Sequence, residues 1–177
     1  MKTTRKTAVD MFRTLGVMAL GYLDDETLTA VMDNFNAFRR IAEDFEALKV
    51  ELAKRIYGDM EQKEESERRR FADFMVIVEK IGNAKTAEKR DELDTLAKET
   101  YTDLYELRVK EVKVITSLLN KEVEVDITPV DADRFCKGVV KGRKDIPIHE
   151  VRAAFSFMFI EQEQKEDDFS ELDELLK

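Results

Sequence analysis

The stretch Asp24–Tyr57, DDETLTAVMDNFNAFRRIAEDFEALKVELAKRIY, constrains this chain more than any other. Leu28, Val31, Phe35, Phe38, Ala42, Phe45, Leu48, Leu52 and Ile56 recur at steps of three and four, which puts one apolar stripe on one face of a helix. Arg39, Arg40, Glu43, Asp44, Lys49, Glu51, Lys54 and Arg55 fill the other face. Asp24 or Asp25 can accept from the free amides of the first turn, and Asp25 and Glu26 suit the positive end of the helix dipole. Lys54 and Arg55 suit the negative end, and Gly58 stands where a left-handed terminating residue belongs. At 1.5 Å per residue the helix spans about 50 Å. One short neighbour cannot cover it, so it needs long partners from this chain or from a second copy.

The remainder reads as material for such partners. Charged residues make up 39% of the 177 residues, while Gly (6) and Pro (2) are scarce, a mixture suited to long solvated helices. A first helix is expected over 5–20, closed by Gly21, with Val9, Phe12, Leu15 and Met18 or Ala19 inward. Gly58 and Gly82 bracket a third, on which Phe71, Phe74, Met75, Val78 and Ile81 form the stripe. Arg68–Arg70 lie close behind Glu61, Glu64, Glu65 and Glu67, which favours ion pairs within the helix over a nucleic-acid contact. From Thr86 a continuous helix to Leu119 is expected, flawed on its apolar face by Glu111, although VKEVKVIT could alternate as a strand.

After Asn120 the texture changes. EVEVDI alternates and is β-branched, so a short strand is expected near 122–127, ended by Pro129. Its backbone needs a partner, either residues near Phe135–Val140 or the same strand of a second subunit. VDADRFCKGVVKGRKD reads as an exposed turn region, and Pro147 suits the start of a last helix carrying Val151, Ala154, Phe155, Met158 and Phe159. The reading is an all-α domain over 1–160, of long antiparallel helices with a minor β element, followed by an acidic tail over 161–177.

Composition excludes several functions. A net charge of −9 argues against non-specific nucleic-acid binding, and no apolar run approaches the roughly 18 residues a membrane span needs. Lys2, Arg5 and Lys6 before LGVMALGYL have the flavour of a signal peptide, but Asp10 and Arg13 interrupt it and no cleavage motif follows. The lone Cys136 allows no intramolecular disulfide, and one Cys with one His is too few for a zinc site. His149 reads as a solvent-facing residue of a first helical turn and Cys136 as structural, so no catalytic residue, metal or cofactor is expected. KGVVKGRKD lacks the phosphate-loop pattern, because Gly138 and Gly142 are separated by three residues and no hydroxyl follows Lys144. Lys137, Lys141, Arg143 and Lys144 remain a candidate anion contact. Phe169, Leu172, Leu175 and Leu176 would share one face of a helix within the acidic tail, which makes them candidate partner-binding residues.

The chain also resembles a small family of unknown function encoded by phages and prophages. The likeness lies in the order of features: Arg55-Ile56-Tyr57-Gly58 ending a long helix, Leu118-Leu119-Asn120-Lys121 ending a later one, then Glu122–Ile127, Pro129 and a short helix opened by Pro147. It covers under half the chain. Gly21-Tyr22-Leu23 stands where the family carries Leu-Pro, and KGVVKGRK is inserted. The resemblance implies a mostly helical phage-type protein of the bacterial cytoplasm. The expected function is that of a non-enzymatic interaction or assembly protein that binds a protein partner and forms homo-oligomers. The alternative is an acidic inhibitor that mimics nucleic acid.

Overall fold

The computed structural model describes residues 1–142 and 147–159. The described residues are all-α apart from one small sheet: β1 (Lys2–Thr4), α1 (Arg5–Gly16), α2 (Asp25–Tyr57), α3 (Glu65–Gly82), α4 (Ala87–Thr100), α5 (Thr102–Leu119), β2 (Glu122–Glu124), α6 (Ala132–Gly142) and α7 (Ile148–Ala154). These elements form two compact units. Of the described residues, one comprises Met1, 10–39, 124–142 and 147–159; the other comprises 2–9 and 40–123. Helices α1 and α2 therefore contribute residues to both.

The long helix begins and ends as its sequence requires. Asp24 Oδ1 accepts from the Thr27 amide at 2.9 Å and Oδ2 from the Thr27 hydroxyl at 2.9 Å, which fills a first-turn donor. Those bonds hold the Asp24 carboxyl below its ordinary range. Gly58 ends the helix at φ 79°, donating its amide to Lys54 O.

In the first unit, Val31, Phe38, Phe135 and Met158 are fully buried. Phe38 meets Phe157 edge-on at 5.7 Å, and Phe135 meets Phe155 and Phe159 at 5.3 and 5.8 Å. Asn34 is buried within this apolar set. Its amide donates to Thr128 O at 2.9 Å and accepts from Thr128 N at 2.7 Å, so one side chain satisfies both backbone groups of a loop residue.

The segment expected as an exposed turn is the helix α6. Asp131 caps it, accepting from Arg134 N at 2.8 Å, and Phe135, Cys136, Gly138 and Val139 are buried. The glycines are there for packing. A Cβ at Gly138 would overlap the Leu23 side chain and approach Tyr22 O to 3.2 Å, and one at Gly142 would stand 3.0 Å from Ala19 Cβ. The connection before α2 thus lies directly on α6. It also explains why α1 stops at Gly16 rather than near residue 20: residues 19–23 pack against a neighbour as loop.

In the second unit, the chain expected to run as one helix from Thr86 to Leu119 breaks at Tyr101 (φ −132°, ψ 49°). Thr86 caps α4 by accepting from Lys89 N, as its sequence suggests. The break is a tertiary effect. In an unbroken helix Asp94 and Tyr105 would lie about 16 Å apart along the axis, yet Tyr105 Oη donates to Asp94 Oδ2 at 2.7 Å. The Tyr101 ring sits 5.8 Å from that of Phe74. VKEVKVIT lies wholly within α5.

Arg70 pairs between helices rather than within α3. Its guanidinium holds both Asp103 oxygens and lies over the Tyr101 ring at 5.8 Å. This contact holds the Asp103 carboxyl at about 2, well below its ordinary 3.8. A depressed carboxylate stabilises the fold above its ordinary range, and that contribution is lost as pH falls through about 2. In Arg70→Gln the Asp103 midpoint, followed by carboxyl carbon NMR, is expected to return towards 3.8. A midpoint that stays near 2 would assign the shift to something other than Arg70.

β2 pairs with β1 in an antiparallel ribbon, not with α6 residues or a second subunit. Met1 and Val125 exchange both bonds at one end (2.7 and 2.8 Å), and Arg5 N donates to Lys121 O at the other. Arg5 Nη1 also donates to Leu118 O at 3.1 Å, satisfying a carbonyl at the end of α5.

Candidate functional site

The best-formed concavity of the second unit lies among α3, α4 and α5, with a volume of about 490 Å³. Phe74, Val78 and Ile81 of α3, Ala97 of α4, and Val109 and Val112 of α5 form its apolar wall. The helical period puts Phe74, Val78 and Ile81 on one stripe, and the break at Tyr101 turns α5 to face it. Val109 and Val112 stay 38% and 44% exposed.

The polar groups at this cleft bind one another. Tyr105 donates to Asp94, which raises the Tyr105 hydroxyl above its ordinary value, with burial adding to the effect. Arg108 lines the cleft and donates through Nη1 to Glu111 Oε2, which also accepts from Tyr57 Oη at 2.9 Å. Burial, and then the bond to Glu111, push the Tyr57 hydroxyl upward. Glu111, the flaw in the α5 stripe, is buried on the core face and is satisfied by these two partners. Among the described residues no buried side-chain polar atom lacks a partner. A site so arranged buries apolar groups, with Lys113 and Arg108 as the cations of its lining.

None of the described residues singled out from sequence as candidate site residues lines this cleft. Lys137 and Lys141 are exposed, one turn apart on α6, while Arg143 and Lys144 lie outside the described residues. The same holds for the 161–177 tail and for Phe169, Leu172, Leu175 and Leu176. His149 is exposed in the first turn of α7. Cys136 is fully buried, and burial pushes its thiol up, opposite to what an activated nucleophile needs. No cluster of three or more potential metal ligands occurs among the described residues, and no described helix is long and apolar enough to cross a membrane. Sequence reading missed the cleft, because it depends on a helix break that periodicity alone does not mark.

No family model matches the chain, and neither does any curated protein or solved structure.

Proposed function

We propose that the chain is a non-enzymatic interaction or assembly protein of phage type, at work in the bacterial cytoplasm, and that a second copy of itself is its first partner. The observation that carries this reading is the apolar wall of the α3–α4–α5 cleft, where Val109 and Val112 remain half-exposed. Val76, Leu96 and Val114 of the same three helices are exposed outside the cleft and do not extend its wall. An apolar wall left open to solvent is the kind of surface that a protein partner covers. The polar groups of the cleft are engaged with each other, which suits burial against a partner better than proton transfer.

Light scattering is expected to give a dimer or larger species at micromolar concentration. Val109→Asp/Val112→Asp is expected to return it to 20.6 kDa with its helical circular dichroism intact. A wild-type protein that stays at 20.6 kDa at high concentration would overturn the reading.

A further inference from the structure

The first unit carries a second cleft, of about 260 Å³, between the end of α1, the following loop, α6 and α7. Val17, Met18, Ala19, Val139, Val151 and Phe155 line it. Val17 is 80% exposed, the most open of the large apolar side chains among the described residues. Glu150 is the one charged group of the lining, and Arg13, exposed one turn before Val17, flanks it.

The course of the chain indicates what could cover this surface. The described residues end at Phe159, whose backbone is fixed by a parallel bridge to Val130. The Phe159 ring meets Phe135 at 5.8 Å, and Phe135 meets Phe155, a wall of the cleft, at 5.3 Å. The exit of the chain is thus two ring contacts from the cleft. Residues 160–168 can reach about 30 Å when extended. Just beyond them stands FSELDELL, in which Phe169, Leu172, Leu175 and Leu176 are the apolar residues. Tethering at this length gives an effective concentration of about millimolar, so modest contacts suffice. Lys137 and Lys141 flank Val139 at two residues on either side, which puts them on the far side of α6 from the wall that Val139 forms.

We propose that residues 169–176 of this chain dock in its own α1–α6–α7 cleft, with Phe169 and the leucines covering Val17 and Met18. A segment this short is not a stable helix alone in water, and docking supplies the apolar contacts that would order it. Glu171, Asp173 and Glu174 then face outward, away from Glu150.

The test uses the full chain with its methionine methyl groups labelled. Phe169→Ser/Leu172→Ser is expected to shift the Met18 methyl resonance and to lower the melting temperature by about 4 °C. Val17→Asp, at a position too exposed to disturb folding, is expected to produce the same melting shift alone and none further when combined with the tail variant. A Met18 resonance unmoved by the tail variant would overturn the proposal. So would a shift that disappears on dilution, since the tail would then be docking in a second copy.

Discussion

Asn34→Leu is expected to cost about 3 kcal/mol of stability, because it strands two buried backbone groups at once. Leucine has the same number and branching of side-chain heavy atoms as asparagine and is the bulkier of the two, so the substitution opens no cavity. It removes the amide that donates to Thr128 O and the oxygen that accepts from Thr128 N. Asn34 has no exposed surface, so water cannot readily replace either bond. Each stranded group costs on the order of 1–3 kcal/mol, whereas the added apolar contact returns about 1 kcal/mol. Set against a total of about 5–15 kcal/mol for a domain, the loss is severe. Urea unfolding would measure it, and hydrogen exchange would report the Thr128 amide, expected to be protected in the wild type and open in the variant. A change below about 0.5 kcal/mol would mean that the loop has other means of satisfying Thr128.

The same residue shows how far the sequence carries. The apolar positions of α2 were legible because a 33-residue helix repeats its period many times, and its ends carry their own signals in Asp24 and Gly58. Asn34 falls three residues after Val31 and four before Phe38, on that same stripe, and the placement was itself a signal of a buried polar contact. What the stripe could not say is which backbone group Asn34 would meet, since Thr128 is 94 positions away. The partner of β2 was hidden for a related reason. KTT, at the amino terminus, is too short to show an alternating pattern, and only the folded path brings it beside EVE.

At α6, tertiary packing overrides the local preference of glycine for turns. Gly138 and Gly142 suggested a turn, yet they lie one helical turn apart and form the flat side of α6 on which residues 19–23 rest. The opposite error occurred at Tyr101. No Gly or Pro marks that position, so the break is invisible to propensity, although the α3–α4–α5 cleft depends on it. Glu111 was legible as an anomaly on an apolar face. One partner was near at hand, in Arg108 three residues earlier; the other, the tyrosine that ends α2, lies 54 positions away.

That cluster yields the second large effect. Arg108→Leu is expected to cost about 3 kcal/mol, because it leaves the Glu111 carboxylate, 8% exposed, with the Tyr57 hydroxyl alone. The figure lies at the lower end for a broken buried pair, since the Arg108 side chain is 31% exposed and solvent reaches one partner. Removing both charges is a different experiment. In Arg108→Leu/Glu111→Leu no carboxylate remains buried, and two leucines one turn apart can pack against Phe74 and the cleft wall. The double variant is therefore expected to recover most of the loss, leaving about 1 kcal/mol for the Tyr57 hydroxyl that no longer has an acceptor. Adding Tyr57→Phe should remove that remainder. Urea midpoints of the single, double and triple variants measure each step. If the double variant is as unstable as Arg108→Leu, the cost lies in the lost packing of the arginine stem and not in a stranded carboxylate. If it recovers, the network is dispensable for folding, and the same variant removes the guanidinium from the cleft edge while sparing the fold. Its light-scattering mass then separates the two uses of Arg108: a species that still associates relies on the valine wall, and one that falls to 20.6 kDa relies on the charge.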